Sequence, residues 1–346
     1  MVLSFGELLL RICPDTEGKW LEQNNLSFYV GGAEANVATA LALWRIPSAY
    51  CTVMPNNLMT MQILSGLQKK GIDVSRVIRG GQRLGLYFLP KGKDLKNAAV
   101  IYDRDHSAFA ELKPGMVNWE QVLDGVKWLH LSAISPALNS RVAAVCEEAL
   151  REASARHITI SVDLNYRAKL WQYGVSPAAV MPGLVQYCDL VMGNLWAAEK
   201  MLDIPVDPSI NEGSKQEDYL RHARATSQKI SERFPKVKTV ANTFRFDRGA
   251  TGIHYYTALF SEKKMYHSSV YDADNILDKV GSGDCFMAGL IYGLYREQSL
   301  QETLEFATAA AFQKLFIASD ATDQQAGDIE KFMRANGKLH GSANGI

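Results

Sequence analysis

Apolar and polar positions along this chain follow two periods, and the periods take turns. Short apolar runs of strand length occur at Val2–Ile12, Ser48–Met54, Lys127–Ser132, Ile158–Asp163, Leu190–Asn194 and Lys238–Thr243. Between them lie segments with helical spacing, at Leu58–Gly71, Ser140–His157, Trp196–Leu202 and Asp218–Arg233. Strands alternating with helices in this way predict an α/β fold with a mostly parallel sheet and helices on both faces. Arg83–Leu89 and Ala98–Asp103 read as two further strands around a turn-rich stretch, with more short strands at Thr251–Phe260 and Lys264–Val270. In the first run, Gly6-Glu7 interrupts the apolar pattern, a place where backbone can approach a ligand. No internal repeat or low-complexity tract appears.

The densest local signal is Ile276–Leu294, ILDKVGSGDCFMAGLIYGL. Gly281 and Gly283 allow a sharp turn whose amides can converge on one concave space. A helix follows, predicted to begin near Asp284, with Phe286, Leu290, Ile291 and Leu294 on its apolar face. A helix N-terminus behind a glycine loop attracts anions, so a carboxylate there needs a task or a partner. Asp284 is either a general base beside a bound phosphate or simply the helix cap. The dinucleotide fingerprint is excluded because Phe286 stands where a third glycine belongs, which argues against a dehydrogenase. A P-loop is excluded because the chain has no Gly-Lys-Ser/Thr.

Composition narrows the setting. The chain has 346 residues, enough for one large α/β domain or two smaller ones. Its 37 basic and 37 acidic residues cancel, which argues against a general nucleic-acid or anionic-membrane binder. Five cysteines without a C-x-x-C pair read as buried thiols in a reducing compartment. The opening MVLSFGELLLRI reads as a first strand and not a leader, and no apolar run reaches about 18 residues, so a cytoplasmic protein is expected.

Asp278-Lys279-Val280-Gly281-Ser282-Gly283-Asp284 resembles the C-terminal signature D-T-x-G-A-G-D of the ribokinase (PfkB) sugar kinases. A second resemblance lies near the other end, where Gly31-Gly32-Ala33-Glu34-Ala35-Asn36 looks like the family's N-terminal signature. The resemblance implies a ribokinase-like kinase domain over about residues 1–330, with a small β lid from about 10–30 and 82–105 and a tail from 331. It implies ATP and Mg²⁺ as cofactors, Asp284 as the base, and the amides of Gly281, Ser282 and Gly283 as an anion hole. Gly31 and Gly32 would let the sugar lie against backbone, with Asn36 bonding its hydroxyls.

A basic residue at Lys279, in place of the usual Thr, resembles the branch that phosphorylates 2-keto-3-deoxygluconate. Asp163-Leu164-Asn165-Tyr166-Arg167-Ala168-Lys169-Leu170-Trp171 is similar to the same branch, as are Tyr87, Tyr102 and Arg104. A sugar acid carries a carboxylate, which the guanidiniums of Arg104 and Arg167 suit by charge and by fork geometry. Asn194, Thr243 and Arg245 resemble residues near the nucleotide phosphates, and Thr308 and Lys314 more loosely resemble residues near the adenine. Ala197 stands where the family often carries a glutamate, leaving Glu199, acting through water, as the candidate metal-side residue. Two rival readings remain: a fructokinase-like kinase of neutral sugars, and a sugar-acid binding protein without catalysis, suggested by Ala197. A homo-oligomer pairing through an exposed lid edge is also expected.

Overall fold

The computed structural model describes residues 1–14, 20–21, 24–90, 100–211 and 213–337. Parts of the expected lid, and the end of the chain from 338, lie outside the described residues. The main sheet has ten strands. From one edge its order runs Lys264–His267, Gly252–Ser261, Thr239–Arg248, Leu190–Met192, Thr159–Asp163, Trp128–Ser132, Val2–Phe5, Ser48–Cys51, Ile72–Asp73, and Tyr271–Ala273 pairs beside Gly252–Ser261. Every neighbouring pair from Thr239–Arg248 to Ile72–Asp73 is parallel, and the Gly252–Ser261 pairings are antiparallel.

Parallel strands need helical crossovers that cover both faces of the sheet, which is why its strands are apolar on both sides. Val2–Phe5 shows this directly. Leu3 and Phe5 pack into one core with Val145 and Leu150, whereas Val2 packs into the other with Leu41, Trp44 and Phe286. The helices Ser282–Tyr295 and Leu300–Lys314 pack against each other on this second face. Gly289 makes that contact possible, since a Cβ there would meet the Cα of Ala307 at 2.4 Å.

The apolar run Val2–Ile12, expected as one strand, is two strands in two sheets. Val2–Phe5 ends at Gly6-Glu7, and Leu9–Cys13 restarts in a separate four-stranded sheet ordered Ser27–Gly31, Leu9–Cys13, Gly85–Phe88, Ile101–Asp103. The break is enforced at Gly6, where a Cβ would fall 2.1 Å from the Glu34 carboxyl. This small sheet is built from the regions expected to form the lid. The expected tail also proves partly ordered, because Ala326–Ala335 is a helix whose Ile329 and Met333 join the second core.

Candidate active site

The parallel strands place their C-terminal ends on one side, where open α/β sheets form their binding crevice. Glu7 follows Val2–Phe5, Asp163 ends Thr159–Asp163, and Asn194 follows Leu190–Met192. All three line one cavity. Two helix N-termini open into the same space, that of Ala33–Leu43, capped by Gly32, and that of Ser282–Tyr295, capped by Gly281. Neither glycine offers a side chain to its helix, so the first-turn amides stay available to an anion.

Gly281 is required by its position twice over. Its φ of 78° is left-handed, and a Cβ would strike the Asp320 carbonyl oxygen at 1.8 Å. The helix begins at Ser282, two residues before the position expected from sequence. Asp284 therefore lies inside the first turn and is not the cap. Its carboxylate accepts a hydrogen bond from the Asn36 amide at 2.7 Å. Burial pushes the Asp284 carboxyl up to about 6, against the opposing pull of Asn36 and Arg167. Asn36, expected to bond the sugar, thus orients the candidate base, although it too lines the cavity. Ser282 uses its hydroxyl to hold the Ala311 carbonyl at 3.0 Å, leaving its amide as its contribution to the loop.

Tyr87, Tyr102, Arg104 and Arg167 all line the cavity. Arg104 is not free: its Nε and Nη2 each lie 2.6 Å from Glu7 Oε2, and Ser107 donates to the other Glu7 oxygen. Arg167 differs. Its Nη1 donates to the neighbouring Tyr166 carbonyl, its Nε is buried without a hydrogen-bond partner, and among the described residues no carboxylate forms an ion pair with it. The Tyr87 hydroxyl donates to Asp320, which also lines the cavity.

Asn194, Thr243, Arg245 and Lys279 line the same cavity as Gly281–Asp284. Asn194 Oδ1 caps the helix Leu195–Leu202 by accepting from the Ala197 amide at 2.8 Å. Lys279 Nζ reaches Asp247 Oδ1 at 2.7 Å. Other expected residues, Thr308, Lys314, Glu199 and Gly31, do not line the cavity. Thr308 is fully buried, bonding Thr257 and the Leu304 carbonyl, so it holds a helix to the sheet and does not face the cavity. Glu199 accepts from the Val206 amide at 3.2 Å and does not line the cavity, whereas Ala197 does. The missing glutamate is therefore not replaced from two residues along. Gly31 also lies outside the cavity wall; its place is against Asp320, whose Oδ2 would be 2.5 Å from a Cβ.

The sequence reading passed over several charged groups here. Arg11, wholly buried, donates to Asp278 Oδ2 at 2.6 Å and lies 2.9 Å from Asp320 Oδ1. Burial opposes the Arg11 charge, but Asp320 and Asp278 more than offset that and hold it protonated. Glu34 accepts from both the amide and the hydroxyl of Ser132 at 2.7 Å. Burial raises Glu34 and Asp163 to about 7 each. Glu7 carried a signal, the break at Gly6-Glu7. Arg11 had none, because a single arginine in an apolar run does not reveal a partner 267 positions away.

The family model "pfkB family carbohydrate kinase" matches residues 1–321. The chain belongs to the pfkB family of carbohydrate kinases. Among solved structures of this family, a 2-dehydro-3-deoxygluconokinase from Thermotoga maritima superposes with a TM-score of 0.87 at 33% identity, covering 96% of this chain and 99% of that one. A 2-dehydro-3-deoxygalactonokinase from Haloferax volcanii is 25% identical over 334 residues, 96% of each chain. A 2-dehydro-3-deoxygluconokinase from Bacillus subtilis is 26% identical over 309 residues, 89% of this chain and 87% of that one. As a pfkB kinase, the chain is a carbohydrate kinase with a ribokinase-like fold. No helix among the described residues is long and apolar enough to cross a membrane.

Proposed function

We propose that this kinase transfers the γ-phosphoryl group of ATP to the terminal hydroxyl of 2-keto-3-deoxygluconate (2-dehydro-3-deoxygluconate), giving the 6-phosphate. The observation that carries the sugar-acid reading is Arg167, a guanidinium at the cavity wall with a buried, unpartnered Nε and no carboxylate within ion-pair distance among the described residues, though Asp284 and Asp163 lie in its field. A substrate carboxylate supplies the missing partner. Arg104, already balanced by Glu7, offers donors without net charge.

Asp284 takes the proton of the attacking hydroxyl as its oxygen bonds to the γ-phosphorus. The bond to the β,γ-bridging oxygen breaks, and ADP leaves with that electron pair. The amides of Gly281–Asp284 meet the negative charge on the transferring group. Magnesium, when bound with the nucleotide, neutralises phosphate charge. Such an ion would be held mainly by phosphate oxygens and water, and Asn194 at the cavity wall would be its water-mediated neighbour. Arg245 and Thr243 flank the phosphates.

The small sheet acts as a lid that excludes water from the transfer. Phe28 and Ile101 on it are more than half exposed, and a second copy of the chain pairing over this face would cover them. The direct test is incubation of the enzyme with ATP, Mg²⁺ and 2-keto-3-deoxygluconate, followed by phosphorus NMR of the product. A C6 phosphomonoester supports the reading, and ATP left intact refutes it.

A further inference from the structure

Lys314, at the end of the helix Leu300–Lys314, is fully buried and does not line the cavity. It nonetheless touches the anion loop from within: a Cβ at Gly281 would sit 3.3 Å from Lys314 Cε. Its ammonium donates to the Ile317 carbonyl at 3.1 Å. The root of the loop is tied to the same helix end, because the amides of Leu277 and Asp278 donate to the Leu315 carbonyl at 2.8 and 3.1 Å. Four charges converge here from separate parts of the chain: Arg11 from the small sheet, Asp278 from the loop, Lys314 from the helix, and Asp320 from the segment after it. Two cations and two carboxylates cancel, so the buried cluster carries no net charge when all are ionised.

We propose that Lys314 is a positioning residue of phosphoryl transfer, a buried ammonium packed beneath the loop at Gly281 that holds the loop amides in place and adds positive charge behind them. This rests on the reading of Asp284 as the base. The groups facing Lys314 are Asp278, Cys285, Asp320 and Arg11, with Asp284 on the same first turn as Cys285. Burial lowers the affinity of Lys314 for its proton, and the two aspartates oppose that. Asp284 also faces Arg167, Glu34 and Asp163 across the cavity, and among its neighbours Asp320 favours its protonated form while Arg167 and Lys314 favour its ionised form.

That opposition supplies the test. The kcat of the full chain is measured from pH 5 to 9 at saturating ATP, Mg²⁺ and 2-keto-3-deoxygluconate, for the wild type, Lys314→Met and Asp320→Asn. The expected result is an acid limb moved up by about one pH unit in Lys314→Met and moved down in Asp320→Asn. A packing role alone lowers both plateaus with the limbs unmoved, and that result overturns the proposal. Should Lys314→Met fail to fold, Asp320→Asn decides by itself, since an acid limb that stays or rises also overturns it. Turnover absent in the wild type, or persisting in Asp284→Asn, overturns instead the kinase reading beneath the inference, and is visible without Lys314→Met.

Discussion

The Asn36 side chain donates to Asp284 across 248 positions of sequence, joining the first turns of two helices that open into one cavity. The bond engages one carboxylate oxygen of a residue that lines the cavity. It also favours the ionised form in a site where burial favours the neutral one. Asn36→Ala removes both effects. The expected outcome is a kcat lowered by about tenfold and an acid limb displaced upward, since charge-assisted bonds contribute roughly 1.5–3 kcal/mol. Measured pH profiles check it, and an unchanged limb contradicts it.

Asp284→Asn should abolish turnover while making the protein more stable. General-base loss costs about 10²–10⁴ in kcat. The stability sign follows from the direction of the shift. The carboxyl's value rises from 3.8 to about 6 on folding, so the folded state binds the proton more tightly than the unfolded one. Ionising it in place weakens the fold progressively between those values, and fully above about 6. Asn avoids that cost, so its unfolding free energy should exceed the wild type's by about 2–3 kcal/mol at pH 8, with the gap closing toward pH 4. Denaturant titrations at the two pH values test this, and a gap that widens at low pH contradicts it.

Gly281→Ala is expected to eliminate phosphoryl transfer. The added Cβ meets the Asp320 carbonyl at 1.8 Å in a left-handed conformation, so the loop must move. Circular dichroism should still show a folded chain, and kcat should fall by more than about 10² through loss of anion-hole geometry.

The two arginines should respond differently to alanine. Arg167→Ala is expected to raise KM for the sugar acid about 10- to 100-fold with the KM for ATP little changed. Arg104→Ala leaves Glu7 buried without its cation, so it should also cost about 3–5 kcal/mol of stability. Substrate titrations and thermal melts of the two variants separate these outcomes.

Much of this site is legible in the sequence because its signals are local. The Gly281–Asp284 turn, the Gly32 entry to a helix and the strand ends at Asp163 and Asn194 are each set by adjacent residues. What could not be read is long-range. Arg11 belongs by pattern to a strand interior, and only the break at Gly6 carries it into the second sheet, where it meets Asp278 and Asp320. Thr308 and Lys314 sit in an alanine-rich helix whose spacing does not say which faces are buried. Glu199 seemed near enough in sequence to replace the absent side chain at Ala197, yet it turns away to the Val206 amide. Helix direction, not sequence distance, decides which residue faces the cavity.

Pairing through the small sheet predicts a concentration-dependent dimer. Phe28→Ser with Ile101→Ser should shift the mass measured by light scattering toward the monomer, leaving the main sheet intact. A wild type that is monomeric at every concentration contradicts it.

The central claim is that the cavity is built for a carboxylated sugar and the chemistry for phosphoryl transfer. The most direct measurement is kcat/KM by ADP release with ATP and Mg²⁺, using 2-keto-3-deoxygluconate, gluconate, fructose and ribose, in the wild type and Arg167→Ala. The account predicts that the keto-deoxy acid exceeds the neutral sugars by at least about 10²-fold in the wild type, and that most of this preference disappears in Arg167→Ala. A wild type that turns over fructose or ribose as well as the acid, with Arg167→Ala unchanged in preference, would contradict it.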